Sequence, residues 1–267
     1  MRIRFNYFPE GKRKALTMSY DDGQIHDLRL IEIFNKYGIK GTFHLNGSSL
    51  NKPGMVTSED VATHYVGHEV ACHMLTHPFP ERIPIVEVIN ETLEDRKRLE
   101  AACGYIVRGM SYPFGKYSQE IINAMKPCGI EYSRTAESRA GFNPPEDFMR
   151  WHSTCHHSDD IFGKLDALVN NKWGPLQIFY IWGHSYEFPQ VEGAWERMEE
   201  FCKKASEHSD KIWFATNIEI YDYIMALKTL KISADKTMVY NPTNIDVWIA
   251  ADECPVKIPA GETVKLA

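Results

Sequence analysis

The 267-residue sequence has no apolar run long enough to cross a bilayer, and its first residues, MRIRFNYFPE, do not resemble a signal peptide. These absences predict a cytoplasmic protein that does not enter a membrane. The chain also has no block of lysine or arginine, and its net charge is −6. Nucleic acid and anionic membranes are therefore not expected partners, and a neutral or weakly charged substrate fits better.

Cysteine pairs are missing as well. The six cysteines are scattered without any Cys-x-x-Cys spacing, which favours reduced, mostly buried thiols over a disulfide framework or a thiolate zinc site. Met74, not glutamate, follows His73, so the His-Glu-x-x-His motif of zinc proteases is absent. No internal repeat or low-complexity tract is present.

Apolar periodicity predicts alternating strands and helices through most of the chain. The predicted strands cover residues 14–20, 40–45, 69–72, 105–111, 130–133, 148–153, 176–182 and 211–215. The predicted helices cover residues 26–37, 58–65, 85–103, 118–126, 160–169, 191–205 and 218–230. This alternation indicates an α/β fold with a parallel sheet, and about seven repeats suggest that the sheet closes into a barrel.

The pattern changes from Lys231 onward, where short strands are separated by proline- and glycine-containing breaks. We therefore predict a catalytic barrel over residues 1–230 and a small C-terminal antiparallel β appendage over residues 231–267. The appendage could cover a sheet edge, form part of the substrate cleft or contact a second subunit, so a homo-oligomer is a possible assembly.

Polar side chains cluster where predicted strands end, at the edge on which parallel α/β folds build their sites. The clusters are Asp21 with Asp22, His73 with His77, Tyr112 to Gly115, and His184. This coincidence predicts a shared site more strongly than any single cluster does.

Asp21 and Asp22 are expected just past the first strand, because a strand cannot turn two neighbouring acids toward its core face. One acid could then bind a cation while the other handles a proton. A polar loop whose aspartate caps the next helix is the alternative.

Pro78 disfavours a helix at His77, so a tight turn is expected to bring His73 and His77 together. Two imidazoles and one aspartate form a suitable set of ligands for zinc or another divalent ion. A pair of surface or capping histidines is the alternative. His184 could donate a proton near neutral pH or could be a structural histidine.

Four ordered segments carry a family resemblance, and together they span about residues 14–217. They are TMSYDDG at 17–23, HMLTHP at 73–78, YPFG at 112–115 and IWGH at 181–184. The chain thereby resembles the polysaccharide deacetylases, carbohydrate esterase family 4. The resemblance implies a distorted (β/α)7 TIM-like barrel and metal-dependent removal of acetyl groups from sugars.

The resemblance also implies roles for individual residues. Asp21 would be the general base, and His184 would be the general acid. The backbone N–H of Phe114 would help to hold the oxyanion. The metal ligands would be Asp22, His73 and His77. The expected cofactor is a divalent metal, with zinc first and cobalt, manganese, nickel or iron as alternatives.

The sequence departs from the family pattern at two places. The family usually has an arginine at the position of Ser111, and the nearest arginine here is Arg108. The usual aspartate-containing fourth motif is not evident, although Trp151 lies in a suitable region to form part of the pocket wall. The other candidate substrate contacts are Tyr112, Pro113, Trp182 and Tyr186. His44 and Asn46 end the second predicted strand and could also contact a substrate, although Asn46-Gly47 is equally a turn signal.

The leading hypothesis is a metal-dependent hydrolase that removes N- or O-linked acetyl groups from a saccharide, in particular an oligosaccharide. One alternative is an allantoinase-like amidase that acts on a non-sugar amide in the same fold. A metal-containing carbohydrate-binding protein without catalysis is a second alternative, motivated by Ser111. A non-haem iron oxygenase would also use two histidines and one carboxylate, but it would leave Asp21 without a role.

Overall fold

Parallel strands alternate with helices in the computed structural model, which describes residues 1–172 and 174–266. The strands are β1 (Ile3–Arg4), β2 (Lys14–Asp21), β3 (Gly41–Leu45), β4 (Glu69–Cys72), β5 (Gly109–Ser111), β6 (Tyr132–Ser138), β7 (Trp151–Ser153), β8 (Cys155–His156), β9 (Gln177–His184), β10 (Ile212–Phe214), β11 (Lys231–Ile232), β12 (Met238–Tyr240), β13 (Val247–Ala251), β14 (Cys254–Ile258) and β15 (Thr263–Lys265). The helices are α1 (Asp27–Lys36), α2 (Ser58–Thr63), α3 (Ile85–Cys103), α4 (Gln119–Met125), α5 (Ile161–Asn170), α6 (Ala194–Ser206) and α7 (Asn217–Thr229).

The central sheet is a nearly closed parallel barrel with strand order β7-β6-β5-β4-β3-β2-β9-β8. Strand β2 pairs with β9 along its whole length, with β10 in its first half and with β3 in its second half. Thr154 links β7 directly to β8 at the seam, where its N–H donates to the Tyr180 carbonyl at 2.7 Å. The prediction of a distorted α/β barrel is confirmed.

Burial explains the central position of β2 and β9. All eight residues of β2 are buried, and the first five of β9 are buried too, as expected for strands covered on both faces. Helices α1 to α6 pack outside the barrel, and their apolar faces contribute to the main core. Rigid central strands of this kind hold the side chains at their carboxyl ends in fixed positions.

Three strand predictions were inaccurate. The strand predicted at residues 148–153 begins only at Trp151, because Phe148–Arg150 form a 3-10 turn. Strand β5 begins at Gly109, because the apolar residues Tyr105 and Ile106 lie on the surface and are 44% and 70% exposed. Strand β6 begins at Tyr132 and continues to Ser138, beyond the predicted end at residue 133. The extension places Arg134 inside the barrel, where it is 1% exposed.

Small antiparallel sheets follow the barrel, as the sequence predicts. One has the order β11-β12-β15, and the other has the order β1-β13-β14 and so includes an N-terminal strand. A second core lies between α7 and these sheets, where the Tyr223 hydroxyl donates to the Tyr7 carbonyl at 2.9 Å. The division at residue 230, the role of the appendage and a homo-oligomer stay predictions. Within residues 1–172 and 174–266, no helix has both the length and the hydrophobicity to cross a bilayer.

Candidate active site

Asp21 and Asp22 diverge at the carboxyl end of β2. Asp21 is the last residue of the strand, not a loop residue as expected, and it is 2% exposed. Asp22 has a left-handed backbone, with φ of 80°, and its side chain is 23% exposed. The backbone reversal between the two residues sends one carboxylate into the barrel and the other into the cleft.

Three side chains hold the Asp21 carboxylate inside the barrel. Arg134 donates to Oδ2 in a buried ion pair. Ser111 Oγ lies 3.2 Å from Oδ1, and His44 Nδ1 lies at the same distance from that atom. Burial would raise the pKa of Asp21, but Arg134 and the neighbouring histidines hold this pKa well below its usual range. Asp21 is therefore ionised throughout the neutral pH range.

Arg134 occupies a place that the sequence analysis missed. It lies on β6 and is the register partner of Ser111 on β5, so the two side chains are neighbours at the same level of the barrel. Arg108 instead precedes the first residue of β5, at the opposite end of this strand from Ser111, and pairs with Asp222 and Glu131. The guanidinium that is missing at position 111 is thus supplied by the adjacent strand.

Asp22, His73 and His77 converge in the cleft. The two histidine Nε2 atoms are 3.0 Å apart, and they lie 3.6 and 3.7 Å from Asp22 Oδ1. Both rings follow β4, and His77 adopts a left-handed conformation with φ of 56° in the turn before Pro78. These atoms lie close enough together to hold one metal ion.

The protonation of His73 favours a metal ion at this place. Its Nδ1 lies 2.9 Å from the Ser111 carbonyl oxygen, which only accepts hydrogen bonds, so Nδ1 carries the proton. Burial lowers the pKa of His73 to about 3, so the ring is neutral and Nε2 presents a lone pair. This lone pair lies beside the His77 Nε2 atom and the Asp22 carboxylate, and two imidazole nitrogens with one carboxylate oxygen are a ligand set that fits a divalent metal.

Buried polar side chains fix the backbone around His73. Asp95, which is fully buried on α3, accepts hydrogen bonds from the N–H groups of Gly47 and His73 at 2.6 and 3.0 Å. Asn46 donates to the carbonyl oxygens of His73 and Met74, both at 2.7 Å. Asn46 and His44 are buried at 4% and 0% exposure, so they support the site and do not reach a substrate.

His184 belongs to a hydrogen-bonded group built around Glu187. Its Nδ1 lies 2.7 Å from Glu187 Oε1, while the Nε2 atoms of His156 and His157 lie 3.1 and 2.9 Å from Oε2. Burial opposes protonation of His184, but the hydrogen bond to Glu187 and the negative charges of Asp21, Asp22 and Glu187 together outweigh burial and raise the pKa of His184. The close approach of His157 also requires Gly183, where a Cβ would lie 2.1 Å from Nδ1.

His156, His157 and Glu187 lie close enough together to hold a metal, but their hydrogen bonds argue against it. The Ser158 N–H donates to His156 Nδ1 at 3.3 Å, so Nδ1 accepts and Nε2 carries the proton. That proton points at Glu187. A metal would need the Nε2 lone pair, so this group is better described as a carboxylate held by imidazole N–H donors.

Aromatic rings line parts of the cleft. Trp182 stacks on the Arg134 guanidinium at 4.4 Å and lies beside His184, and the Tyr186 ring stacks on His184 at 5.0 Å. Phe114 is 47% exposed, and its ring lies edge-on to His77 at 4.4 Å.

Three predicted substrate contacts lie in the core instead. Tyr112 is 1% exposed, with its hydroxyl donating to the Met149 carbonyl, and Trp151 is 2% exposed between Phe148 and Tyr180. Pro113 is also buried. Burial of these three side chains argues against direct contact with a substrate, because their bulk fills the core.

The residues that sequence reasoning missed are Arg134, Glu187 and Asp95, and two of them carried a signal. Asp95 follows Val88 and Thr92 at helical spacing on the buried face of α3, and an acid in that phase indicates a polar contact. Arg134 directly follows the predicted strand at 130–133. Glu187 lies in a 3-10 turn just after β9, and no local pattern marks it.

Comparison with known proteins agrees with this geometry. The family model described as polysaccharide deacetylase matches residues 9–133. A chitooligosaccharide deacetylase of Bradyrhizobium sp. (strain ANU 289) is 26% identical over 132 residues, which are 48% of this chain and 58% of that protein. The chain spans between 46% and 58% of the length of the curated relatives that it matches.

Solved structures share the fold. The Xyl-CE4 domain of a multidomain xylanase from the hindgut metagenome of Trinervitermes trinervoides has a TM-score of 0.54 at 19% identity, covering 80% of this chain and 92% of that one. A family 4 acetyl xylan esterase from Clostridium thermocellum, in complex with a cobalt ion, has a TM-score of 0.54 at 16% identity, covering 78% and 91%. Residues 9–133 thus match the polysaccharide deacetylase family, and the barrel has the fold of these carbohydrate esterase family 4 structures.

Proposed function

We propose that this protein is a divalent-metal-dependent hydrolase that removes acetyl groups from an N- or O-acetylated saccharide. One observation carries the proposal. The Nε2 atoms of His73 and His77 lie 3.0 Å apart beside the Asp22 carboxylate, and the ionised Asp21 carboxylate lies within 3.8 Å of His73. The chitooligosaccharide deacetylase and acetyl xylan esterase relatives support acetylated sugars as the substrate class.

Asp22, His73 and His77 would hold the metal, for which zinc is our first choice. A divalent ion in such a site lowers the pKa of water and polarises an acyl carbonyl. Asp21 accepts a proton from the attacking water as the new C–O bond forms at the acetyl carbon. Three donors fix its carboxylate, so the group is oriented before the substrate arrives.

The Phe114 backbone N–H donates to the oxyanion that develops on the acetyl carbonyl oxygen. His184 then gives its Nε2 proton to the departing nitrogen or oxygen as that bond to the acetyl carbon breaks. Glu187 accepts from Nδ1, which orients the ring and favours the protonated form. Acetate and the deacetylated sugar are the products.

Trp182 and Tyr186 offer aromatic faces beside His184 for a sugar ring. Arg134 weakens the case for a binding protein without catalysis, because the arginine missing at Ser111 motivated that alternative. The cytoplasmic location and a homo-oligomer stay predictions.

The test is acetate release by zinc- or cobalt-loaded protein from acetylated chito-oligosaccharides, xylo-oligosaccharides and small N-acetyl sugars. We expect turnover by the natural sequence and a loss of about 10²–10⁴-fold in Asp21→Asn, with metal retained, because a positioned general base contributes about that much. Full activity of the variant would remove Asp21 as the base. Bound metal without any acetate release would refute the saccharide substrate and favour a non-sugar amide or a binding role.

A further inference from the structure

The two histidines of the proposed metal site are supported differently. His73 Nδ1 lies 2.9 Å from the Ser111 carbonyl and 2.7 Å from the Ser111 hydroxyl. For His77, the polar contacts within residues 1–172 and 174–266 all involve Nε2, and Nδ1 makes no hydrogen bond there. Metal-binding histidines almost always fix their ring by a hydrogen bond from the other nitrogen. Among the described residues, ring packing is the remaining contact that can orient His77.

An aromatic column lies against the His77 ring. The Phe114 ring meets it edge-on at 4.4 Å, and the Phe79 ring stacks on Phe114 at 3.7 Å with an angle of 5° between the planes. The Arg82 guanidinium lies over Phe79 at 4.3 Å. Since Phe114 covers one face of Phe79, the guanidinium covers the other, and the column continues outward from the site.

The backbone of this region needs such support. His77 and Phe114 both have φ of 56°, a left-handed conformation that is unfavourable for residues with a Cβ. Conformations of this kind persist only where the surroundings hold them. Phe79 lies two residues beyond His77, so its stacking on Phe114 ties the two left-handed segments together.

We propose that Phe114 and Phe79 are positioning residues of the metal centre, and that their stacked rings hold the His77 imidazole with Nε2 toward Asp22 and His73. The inference rests on the metal ligands of the proposed function. In this proposal, ring packing orients the His77 imidazole, as the hydrogen bond to the Ser111 carbonyl orients His73. Phe79 is the better residue to test, because the Phe114 backbone belongs to the proposed oxyanion site.

The experiment measures zinc affinity by competition with a chromophoric chelator, together with the visible absorption of the cobalt-loaded protein. We expect Phe79→Ala to bind zinc about tenfold more weakly, the lower end of the loss caused by removing outer-shell partners of a metal ligand. Its cobalt spectrum should shift toward that of His77→Ala. Phe79→Tyr should retain both properties, because its ring can stack in the same way.

Tyr240→Ala is the control for loss of an aromatic side chain away from the site, since Tyr240 is an exposed residue on β12, outside the barrel. Phe79→Leu separates the flat ring from bulk and serves if Phe79→Ala does not fold. Natural affinity and an unchanged cobalt spectrum in Phe79→Leu or Phe79→Ala would overturn the inference and leave the proposed function intact. A natural protein that binds neither metal would overturn both.

Discussion

Exchanging Arg134 and Ser111 tests how the Asp21 carboxylate is held. These two residues are register partners on β6 and β5, and both contact Asp21. Arg134→Ser removes the guanidinium and leaves a buried carboxylate with only weaker donors. Adding Ser111→Arg returns the guanidinium from the neighbouring strand, at the position where the family usually has it.

The magnitude follows from burial. The side chains of Arg134 and Asp21 are 1% and 3% exposed, and removing one partner of a buried ion pair costs about 3–5 kcal/mol. For a chain of this size, that corresponds to a fall in Tm of roughly 6–20 °C. Because Ser111 is fully buried, Ser111→Arg alone places a second guanidinium where there is no room and should also destabilise the fold. The double variant should regain about 1–3 kcal/mol relative to the sum of the single changes.

Thermal unfolding of the natural protein, the two single variants and the double variant measures the coupling energy between positions 111 and 134. The pH dependence of acetate release then tests how the guanidinium affects Asp21. The folded pKa of Asp21 is depressed, so its stabilising contribution is present above the unfolded pKa and is lost as pH falls through the folded pKa. Arg134→Ser raises the folded pKa, so the acid limb of kcat/KM should move to higher pH and return in the double variant. Additive losses of stability, or an acid limb that stays fixed in Arg134→Ser, would refute this account.

Two further substitutions probe the other side of the site. Glu187→Gln removes a negative charge that raises the pKa of His184, so the basic limb of kcat should move to lower pH. The fall in kcat should be smaller than the ~10²–10⁴-fold that a general acid contributes. Glu207→Gln, at an exposed position, is the control, and a basic limb that stays fixed in Glu187→Gln as well would contradict the role of Glu187. His73→Ala removes one of three proposed ligands and should weaken zinc binding by more than the ~10–100-fold caused by losing an outer-shell partner, measured by chelator competition; unchanged affinity would exclude His73 as a ligand.

The sequence predicts where the site lies because the carboxyl ends of parallel strands meet at one edge. Asp22 and His73 each follow a strand directly, and His77 lies only four residues after His73, so all three side chains stay near the same edge. Pro78 correctly indicated a turn after β4. The alternation of strands and helices likewise predicted the barrel, since only a parallel sheet accommodates that order.

Arg134 and the core residues could not be predicted in the same way. The partner of Asp21 depends on the register between β5 and β6, and a single sequence contains no direct record of cross-strand register. Tyr112 and Trp151 follow or begin strands near the site, but whether their rings turn toward the cleft or the core depends on how β6, β7 and the seam of the barrel pack. The role of Glu187 depends on tertiary contacts, because three histidines from separate positions in the sequence contact its carboxylate.

Adjacent aspartates acquire opposite properties because the backbone reverses between them. Asp21 receives three donors and its pKa falls, whereas burial and the nearby Asp21 charge raise the pKa of Asp22. In the described residues, no N–H or O–H group donates to the Asp22 carboxylate; its neighbours at 3.6 and 3.7 Å are imidazole nitrogens, and that of His73 presents a lone pair. A cation between these atoms would bind the carboxylate oxygen and the lone pair together. It would also lower the pKa of Asp22 and so keep this carboxylate ionised. The same left-handed turn at Asp22 that separates the two acids thus creates one group suited to a proton and another suited to a metal.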